Sequence, residues 1–295
     1  MQKGQIFFME HSNVLVSCII TTYNRPKLVG RAIESVLGQS YSNIELIIID
    51  DHSSEIYDEV KELYSANVKV RFHRNAKNLG LAASRNVGIN LANGKYVAFL
   101  DDDDVWLKKK LEKQITYLET NEEFIGCSSS HIESVSKKTI KIDKEVYRFE
   151  DNTGFNFLGP PSKLTLKKDI ALATMFDEEA KHAEDWDFYL RILKLGPVYI
   201  FKEPLVIYDT VHFGRMTTGF SSMTIAQIKE KAHMTYKNRN LIGERNFKMR
   251  LGEYFLTGIF RRENIPSYFK QVVKEVGLAT VVKVFKNKVK RSLAK

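Results

Sequence analysis

The hydrophobic positions of the first hundred residues fall into runs whose period changes along the chain. Residues 14–21 (VLVSCIIT) form a continuous apolar run of strand length, which the polar residues 22–26 interrupt. Over residues 27–37 the apolar positions Leu28, Ala32, Ile33, Val36 and Leu37 keep the spacing of one helical face. Residues 44–49 (IELIII) predict a second strand, ending on Asp50-Asp51. Ser53 or Ser54 can cap a following helix that carries Ile56, Val60 and Leu63 on one face. Residues 68–72 predict a third, shorter strand. Residues 81–91 predict a helix stopped by Asn93-Gly94, and residues 96–100 (YVAFL) a fourth strand that runs into Asp101.

Strands that are apolar throughout and alternate with helices predict a parallel sheet covered on both faces. In such sheets ligands bind beyond the carboxyl ends of the strands. Three of those ends are polar here: Thr21-Thr22-Tyr23-Asn24, Asp50-Asp51 and Asp101 to Asp104. The middle of the chain, residues 124–208, is less regular. It holds a loop at Gly159-Pro160-Pro161, a helix over 184–195 and strand-like segments at 198–201 and 204–208. Beyond about residue 221 the pattern is mostly helical.

Composition adds limits. A chain of 295 residues with 43% hydrophobic residues can bury a substantial core. No run of about 18 apolar residues occurs, so no spanning helix is expected. The short apolar stretch Ile6–Phe8 is too brief for a secretory leader. These features predict a cytoplasmic protein. Of the two cysteines, Cys18 lies in an apolar run and is expected to be buried, and Cys18 and Cys127 lack metal-type spacing. The net charge of +9 is uneven. Residues 221–295 hold 17 Lys/Arg against 5 Asp/Glu, a net of +12, whereas residues 1–220 hold 28 against 31, a net of −3. A basic tail on a mildly acidic body implies an anionic partner for the tail.

The run Asp101-Asp102-Asp103-Asp104 is the strongest chemical signal. Adjacent carboxylates repel unless a cation or solvent screens them. Hard cations such as Mg²⁺ and Mn²⁺ take carboxylate oxygens together with substrate phosphates. An acid-rich helix start is the competing reading, because the helix dipole favours acids there and residues from Leu107 onward look helical. Glu184-Asp185-Trp186-Asp187 is a second acidic run, and by itself a helix start explains it. No Walker-type Gly-Lys-Ser/Thr occurs and no GxGxxG follows a strand, which disfavours P-loop and dinucleotide chemistry.

Three segments in order, SCIITTYNRPKLVGRAIESVLGQSYSNIELIIIDDHS, NLGLAASRNVGINLANGKYVAFLDDDDVW and HAEDWDFYLRIL, resemble the family 2 glycosyltransferases. The similarity extends over about residues 14–218. It implies the GT-A fold, a Rossmann-like α/β arrangement with a mostly parallel sheet flanked by helices, followed by a helical basic tail. It also implies a catalytic domain over 1–220, with a nucleotide-binding half at about 14–105 and an acceptor half at about 106–220, and a C-terminal extension over 221–295. The implied function is inverting hexosyl transfer from a nucleotide-sugar donor, UDP-linked by resemblance, to a hydroxyl of a saccharide or lipid-linked saccharide in bacterial surface-polysaccharide synthesis. The implied cofactor is Mn²⁺ or Mg²⁺.

Carried over by motif, Thr21 and Tyr23 are expected at the nucleoside, with Tyr23 against the base. Asp51 is expected at the uracil and Arg85 near the nucleotide or diphosphate. In the family's Asp-x-Asp motif, aligned here as Asp101-Asp102-Asp103, Asp103 is expected to bind the metal directly, with Asp101 beside it, and Asp102 to contact ribose or diphosphate. His212 is expected to close on the metal-bound diphosphate. Asp185 matches the general base. His52 stands where the family commonly has Gly or Asn. Trp106 and Trp186 could line an acceptor pocket, but packing is the better expectation for large aromatics.

The bottom-up chemistry is consistent with these roles. Glycosyl transfer passes through an oxocarbenium-like state. A divalent ion can stabilise the leaving diphosphate, and one carboxylate can take the acceptor's proton. The tail pattern, with Leu278, Val281, Val282, Phe285 and Val289 against Lys283, Lys286, Lys290 and Arg291, predicts a peripheral helix on the anionic inner face of the cell membrane. Nucleic-acid binding is not expected, because the basic charge is confined to the tail and no reading module accompanies it. A non-catalytic sugar-nucleotide-binding relative is the other rival, and the acids of both runs argue against it. A nucleotidyltransferase would carry a Gly-rich basic loop after the first strand, and TTYNRP is not one.

Overall fold

The computed structural model describes residues 13–55, 57–211, 222–257, 259–261 and 264–293. In chain order its first elements are β1 (Val16–Thr22), α1 (Pro26–Leu37), β2 (Ile44–Asp50), α2 (Asp58–Tyr64), β3 (Val70–Arg74), α3 (Leu81–Leu91) and β4 (Tyr96–Asp101). Next come β5 (Val105–Trp106), α4 (Lys110–Thr120), β6 (Gly126–Glu133), β7 (Val146–Tyr147), α5 (Phe149–Asn152), β8 (Thr165–Lys167), α6 (Lys168–Thr174), α7 (Glu184–Ile192) and β9 (Val198–Tyr208). Five helices follow: α8 (Ile225–Lys231), α9 (His233–Lys237), α10 (Arg239–Phe255), α11 (Ile265–Val276) and α12 (Leu278–Leu293).

The contacts divide the chain into two compact units. The first comprises residues 1–148, 158–176 and 191–211; the second comprises 149–157, 177–190 and 212–295. The boundary expected near residue 220 lies outside the described residues, and the second unit also takes in two segments from the middle of the chain.

The first unit holds one sheet in the order β3-β2-β1-β4-β8-β6-β9-β5, with β7 paired to β9. β1 pairs in parallel with both β2 and β4, and β2 with β3. β8 runs antiparallel to β4 and β6, so the sheet is mixed beyond its first four strands. Every residue of β1 is buried, as expected for a central strand covered on both faces. Its core joins Val16, Cys18 and Ile20 to Val29, Ile33 and Val36 of α1 and to Leu46, Ile48 and Leu100. α3 packs so closely on β1 that a methyl group on Gly88 would lie 2.4 Å from a side-chain carbon of Ile19.

The expectation for α2 needs amending. The helix starts at Asp58 behind Tyr57 rather than behind a serine cap, and Leu63 is 72% exposed while Tyr57 and Tyr64 are buried. Ile56 lies outside the described residues. Two aromatic side chains take the core face beside the partly buried Val60, and Leu63 is left outside. Likewise the two strand-like segments at 198–208 form the single strand β9, against which β6 shifts register at Ser129–His131.

The second unit is helical. Trp186 and Leu190 of α7 pack with Ile228, Phe247, Leu251, Phe255, Tyr268, Val272, Val276, Val281 and Val284. α10 breaks at Gly243, whose φ of 77° lies in the left-handed region that favours glycine. On α12 the apolar residues divide between two faces. Val281 and Val284 are buried, whereas Leu278, Val282 and Val289 are exposed. Val281, expected on the outward face, therefore belongs to the core. Among the described residues, no helix is long and apolar enough to cross a membrane.

Candidate active site

The parallel registers align the polar strand ends. Thr22 lies opposite Asp50 on β2, and Thr21 opposite Asp101 on β4. Strand pairing therefore brings the residues of three separate motifs to one edge of the first unit.

After β1 the chain turns through Asn24, which has a φ of 54°. The Asn24 side-chain oxygen accepts from the backbone N–H groups of Ser54 and Glu55. His52 also adopts a positive φ of 62°, and its ring contacts the Asn75 carbonyl at 3.1 Å. A glycine or asparagine would be the easier residue there. Thr21 is buried, whereas Tyr23 is 46% exposed and presents its ring to solvent. An exposed aromatic at a strand end is available to stack on a planar ligand.

The two acids after β2 do different work. Asp50 pairs with Arg74 at 2.8 Å and accepts from the Ser53 N–H. Asp51 accepts from Asn75 Nδ2 and the Leu79 N–H on one oxygen and from the Gly80 N–H on the other. Gly80 has a φ of 88°, so glycine suits this turn into α3. Asp51 thus orders the 75–80 loop, and its Oδ2, which accepts from the Gly80 N–H, retains accepting capacity.

The acidic run sits on β4 and the turn into β5. Arg85, buried in α3, reaches Asp101 Oδ1 at 2.7 Å and lies 5.3 Å from the Phe176 ring centroid. Asp102 is buried. Its Oδ2 accepts from the Thr22 hydroxyl at 2.7 Å, and its Oδ1 accepts from Arg25 Nη1 at 3.0 Å. The same Arg25 nitrogen lies 3.3 Å from Asp103 Oδ2. Asp104 is buried and accepts from the Asp209 N–H. Arg31 reaches the Asp103 carbonyl at 3.3 Å and the Asp209 carboxylate at 3.6 Å.

Burial pushes the Asp102 carboxyl up to about 6, against the opposing pull of Thr22 and Arg25. Burial and the Asp101 charge also raise Asp103. Asp104 is raised well above the usual carboxylate range by burial and Asp101. Lys163 is fully buried and is lowered to about 8, with Asp104 opposing the shift.

The protein supplies hard oxygen donors but no complete cage. Among the described residues, no group of three or more His, Cys, Asp or Glu is arranged to hold a metal ion. Asp102 and Asp103 fit instead the mode in which Mg²⁺ or Mn²⁺ takes one or two carboxylates and completes its shell with water and phosphate. His212 lies outside the described residues.

The second unit holds Asp185 at the start of α7. Its Oδ2 accepts from Asn156 Nδ2 at 2.7 Å and its Oδ1 from the Trp186 N–H. The Trp186 indole donates to the Asn152 carbonyl, and the Arg250 guanidinium stacks 3.5 Å from the Trp186 ring centroid. Both tryptophans pack: Trp186 is fully buried, and Trp106 is 3% exposed with its indole on the Ser162 carbonyl. Asp187, buried one position on, accepts from Asn238 at 2.7 Å.

Sequence reasoning missed Arg25, Asn156 and Arg250, and it named Thr22 only as part of a polar strand end. Arg25 and Thr22 stand inside the TTYNRP segment and had a local signal. Asn156 and Arg250 are far from Asp185 in sequence, and only folding brings them near it.

A profile described as "Glycosyl transferase family 2" matches residues 17–171. An uncharacterized glycosyltransferase of Methanocaldococcus jannaschii is 32% identical over 62% of this chain and 66% of its own length. The Escherichia coli UDP-Glc:alpha-D-GlcNAc-diphosphoundecaprenol beta-1,3-glucosyltransferase WfgD is 35% identical over 61% of this chain and 70% of its own. Among solved structures, that of S. aureus TarS 1-349 in complex with UDP-GlcNAc superposes with a TM-score of 0.62 at 18% identity. That match covers 81% of this chain and 71% of the TarS chain, and it bears on the fold alone.

Proposed function

The chain belongs to glycosyl transferase family 2, and from that premise we propose that it transfers a hexose from a UDP-sugar to a hydroxyl of a lipid-linked saccharide, in the assembly of a bacterial surface polysaccharide such as O-antigen or capsule. The observation that carries this reading is the alignment of Thr21-Thr22, Asp50-Asp51 and Asp101–Asp104 at the ends of β1, β2 and β4. That edge offers an exposed aromatic for a base and carboxylates for a cation. The relative whose name specifies UDP-glucose and a diphosphoundecaprenol-linked sugar supports the choice of donor and acceptor.

In this reading Tyr23 stacks on the base, and Thr21 and Asp51 fix the nucleoside. Asp101, Asp102 and Asp103 serve the metal–diphosphate end, with His212 closing on it. A bound Mn²⁺ or Mg²⁺ would draw off the negative charge that develops on the leaving diphosphate. Asp185 takes the proton of the acceptor hydroxyl. The Asn156 amide holds one of its oxygens and the α7 backbone the other, which fixes the carboxylate's orientation. One carboxylate base and one leaving group make a single displacement, which inverts the anomeric centre.

The exposed Leu278, Val282 and Val289, beside exposed Lys283 and Lys286, are the proposed contact with the anionic inner face of the membrane. Phe260, 79% exposed and 6.0 Å from Phe285 between ring centroids, extends that surface.

The test is a panel of UDP-, GDP- and dTDP-sugars scored for nucleotide release with and without a prenyl-diphosphate-linked saccharide, in Mn²⁺ and in chelator. Release from a UDP-hexose that needs both acceptor and metal is expected. Acceptor-dependent release at full rate in chelator would remove the metal, and no release with any donor would remove the catalytic reading.

A further inference from the structure

Each carboxylate of the acidic site has a protein cation near it, and these cations differ in how firmly they are held. Arg85, 2% exposed, is locked on Asp101 between α3 and Phe176. Lys163, fully buried, feels the Asp104 charge. Arg31 lies on Asp209 at the longer distance of 3.6 Å. Arg25 differs from all three. Its Nη1 touches Asp102 at 3.0 Å and Asp103 at 3.3 Å, so one cation lies against both carboxylates offered to a metal. Yet its side chain is 40% exposed and stands just before the first turn of α1.

We propose that Arg25 is a resident counter-cation that competes with the divalent metal for Asp102 and Asp103, so that metal and nucleotide enter together. This rests on the metal reading above. A divalent ion between the two carboxylates must displace the guanidinium, because two cations there repel each other. Displacement leaves Arg25 charged and without its carboxylates. A nucleotide diphosphate offers it a replacement, since planar guanidinium groups bind phosphate oxygens well. It also supplies the metal oxygens that the protein lacks. The bare site is thereby weak for metal, and the site with nucleotide is strong. The arrangement couples two ligands through one side chain, and thermodynamic reciprocity requires metal to strengthen nucleotide binding by the same factor.

The experiment measures Mn²⁺ binding to the full chain by electron paramagnetic resonance, with and without UDP, for the wild type, Arg25→Gln and Arg25→Lys. Lys27→Gln, an exposed site two residues away, removes the same charge without touching the carboxylates. Without nucleotide, Arg25→Gln should bind Mn²⁺ about fivefold more tightly than the wild type, the upper size that a half-exposed ion pair implies. Lys27→Gln should change it less than twofold. The factor by which UDP strengthens Mn²⁺ binding should shrink in Arg25→Gln by a similar factor of about five. Arg25→Lys should fall between, because an ammonium lacks the fork. Thermal melts establish that all variants are folded. Unchanged or weaker Mn²⁺ binding by folded Arg25→Gln without nucleotide overturns the proposal, as does an equal gain in Lys27→Gln. A wild type that takes no Mn²⁺ even with UDP overturns the metal reading itself, and the proposal with it.

Discussion

The chain carries two acidic runs, Asp101–Asp104 in the first unit and Glu184–Asp187 in the second, and they are screened in different ways. The first sits where buried strands end. Its charges face arginines: Arg85 on Asp101, and Arg25 on Asp102 and Asp103. The second opens a helix. Asp185 and Asp187 accept from the amides of Asn156 and Asn238, Asp185 also takes the first-turn backbone N–H of Trp186, and Lys237 lies 3.8 Å from Asp187. The difference teaches that acidic composition does not set chemistry. Carboxylates balanced by exchangeable cations can trade them for a metal. A carboxylate whose two oxygens are oriented by an amide and a backbone N–H, as in Asp185, is held in place to take a proton.

The sharpest break of this comparison exchanges one acid in each run. Asp185→Asn should lower turnover by about two to four orders of magnitude, the range of acid–base groups, and leave donor affinity nearly intact. Asp103→Ala should instead weaken donor binding in Mn²⁺, by about tenfold or more, and chelation should abolish the difference from the wild type. Steady-state kinetics with donor titrations separate the two. Equal effects on both parameters in both variants would erase the distinction.

The next test asks how firmly the first run depends on its buried arginine. Arg85→Met leaves Asp101, whose side chain is 26% exposed, without this partner and should cost about 1–3 kcal/mol of stability, the penalty for a partly buried polar group that loses its hydrogen bond. Asn156→Ala, which removes an amide from Asp185, should cost only about 1 kcal/mol. Denaturant midpoints at fixed m-value compare them.

A pH titration sharpens the same contrast. Asp102 titrates near 6 in the folded state, above the roughly 3.9 of an unfolded aspartate. A carboxyl raised by folding binds its proton more tightly when native. Its contribution to stability is therefore full below the unfolded value and lost as pH rises through about 6. Metal-dependent donor binding should run the other way and fade as pH drops through 6, because protonated Asp102 no longer offers charge. Isothermal titration between pH 5 and 8 measures this. Asp102→Asn should flatten both profiles.

The last test concerns the tail. Lys283→Gln combined with Lys286→Gln should weaken binding to anionic vesicles by about 2 kcal/mol, roughly 1 per cation, with little change on neutral vesicles. Co-sedimentation at low and high salt reads it. Equal retention of wild type and variant would remove these lysines from the membrane reading.

Much of the first unit was legible because its information is local. Apolar runs such as VLVSCIIT and IELIII have strand length and form β1 and β2, and the Leu81–Leu91 helix emerges with the bounds that its pattern implies. Burial of Cys18 followed from its place in an apolar run, and packing of Trp106 and Trp186 from residue type. The α2 face was misjudged because Tyr57 and Tyr64, and not Leu63, fill the core, a choice that depends on the room beside α1 and β2.

By itself, then, the sequence determined the alternation of strands and helices, the polar ends of β1, β2 and β4, and the family to which those ends belong. These depend on periodicity and short motifs, which neighbouring residues specify. Tertiary structure alone decided the partners. Arg25 meets Asp102 across 77 residues, Arg250 stacks on Trp186 within the second unit, and Val281 turns inward while Val282 faces out. Charge pairing and burial are set by distances between segments, and those distances exist only once the chain has folded.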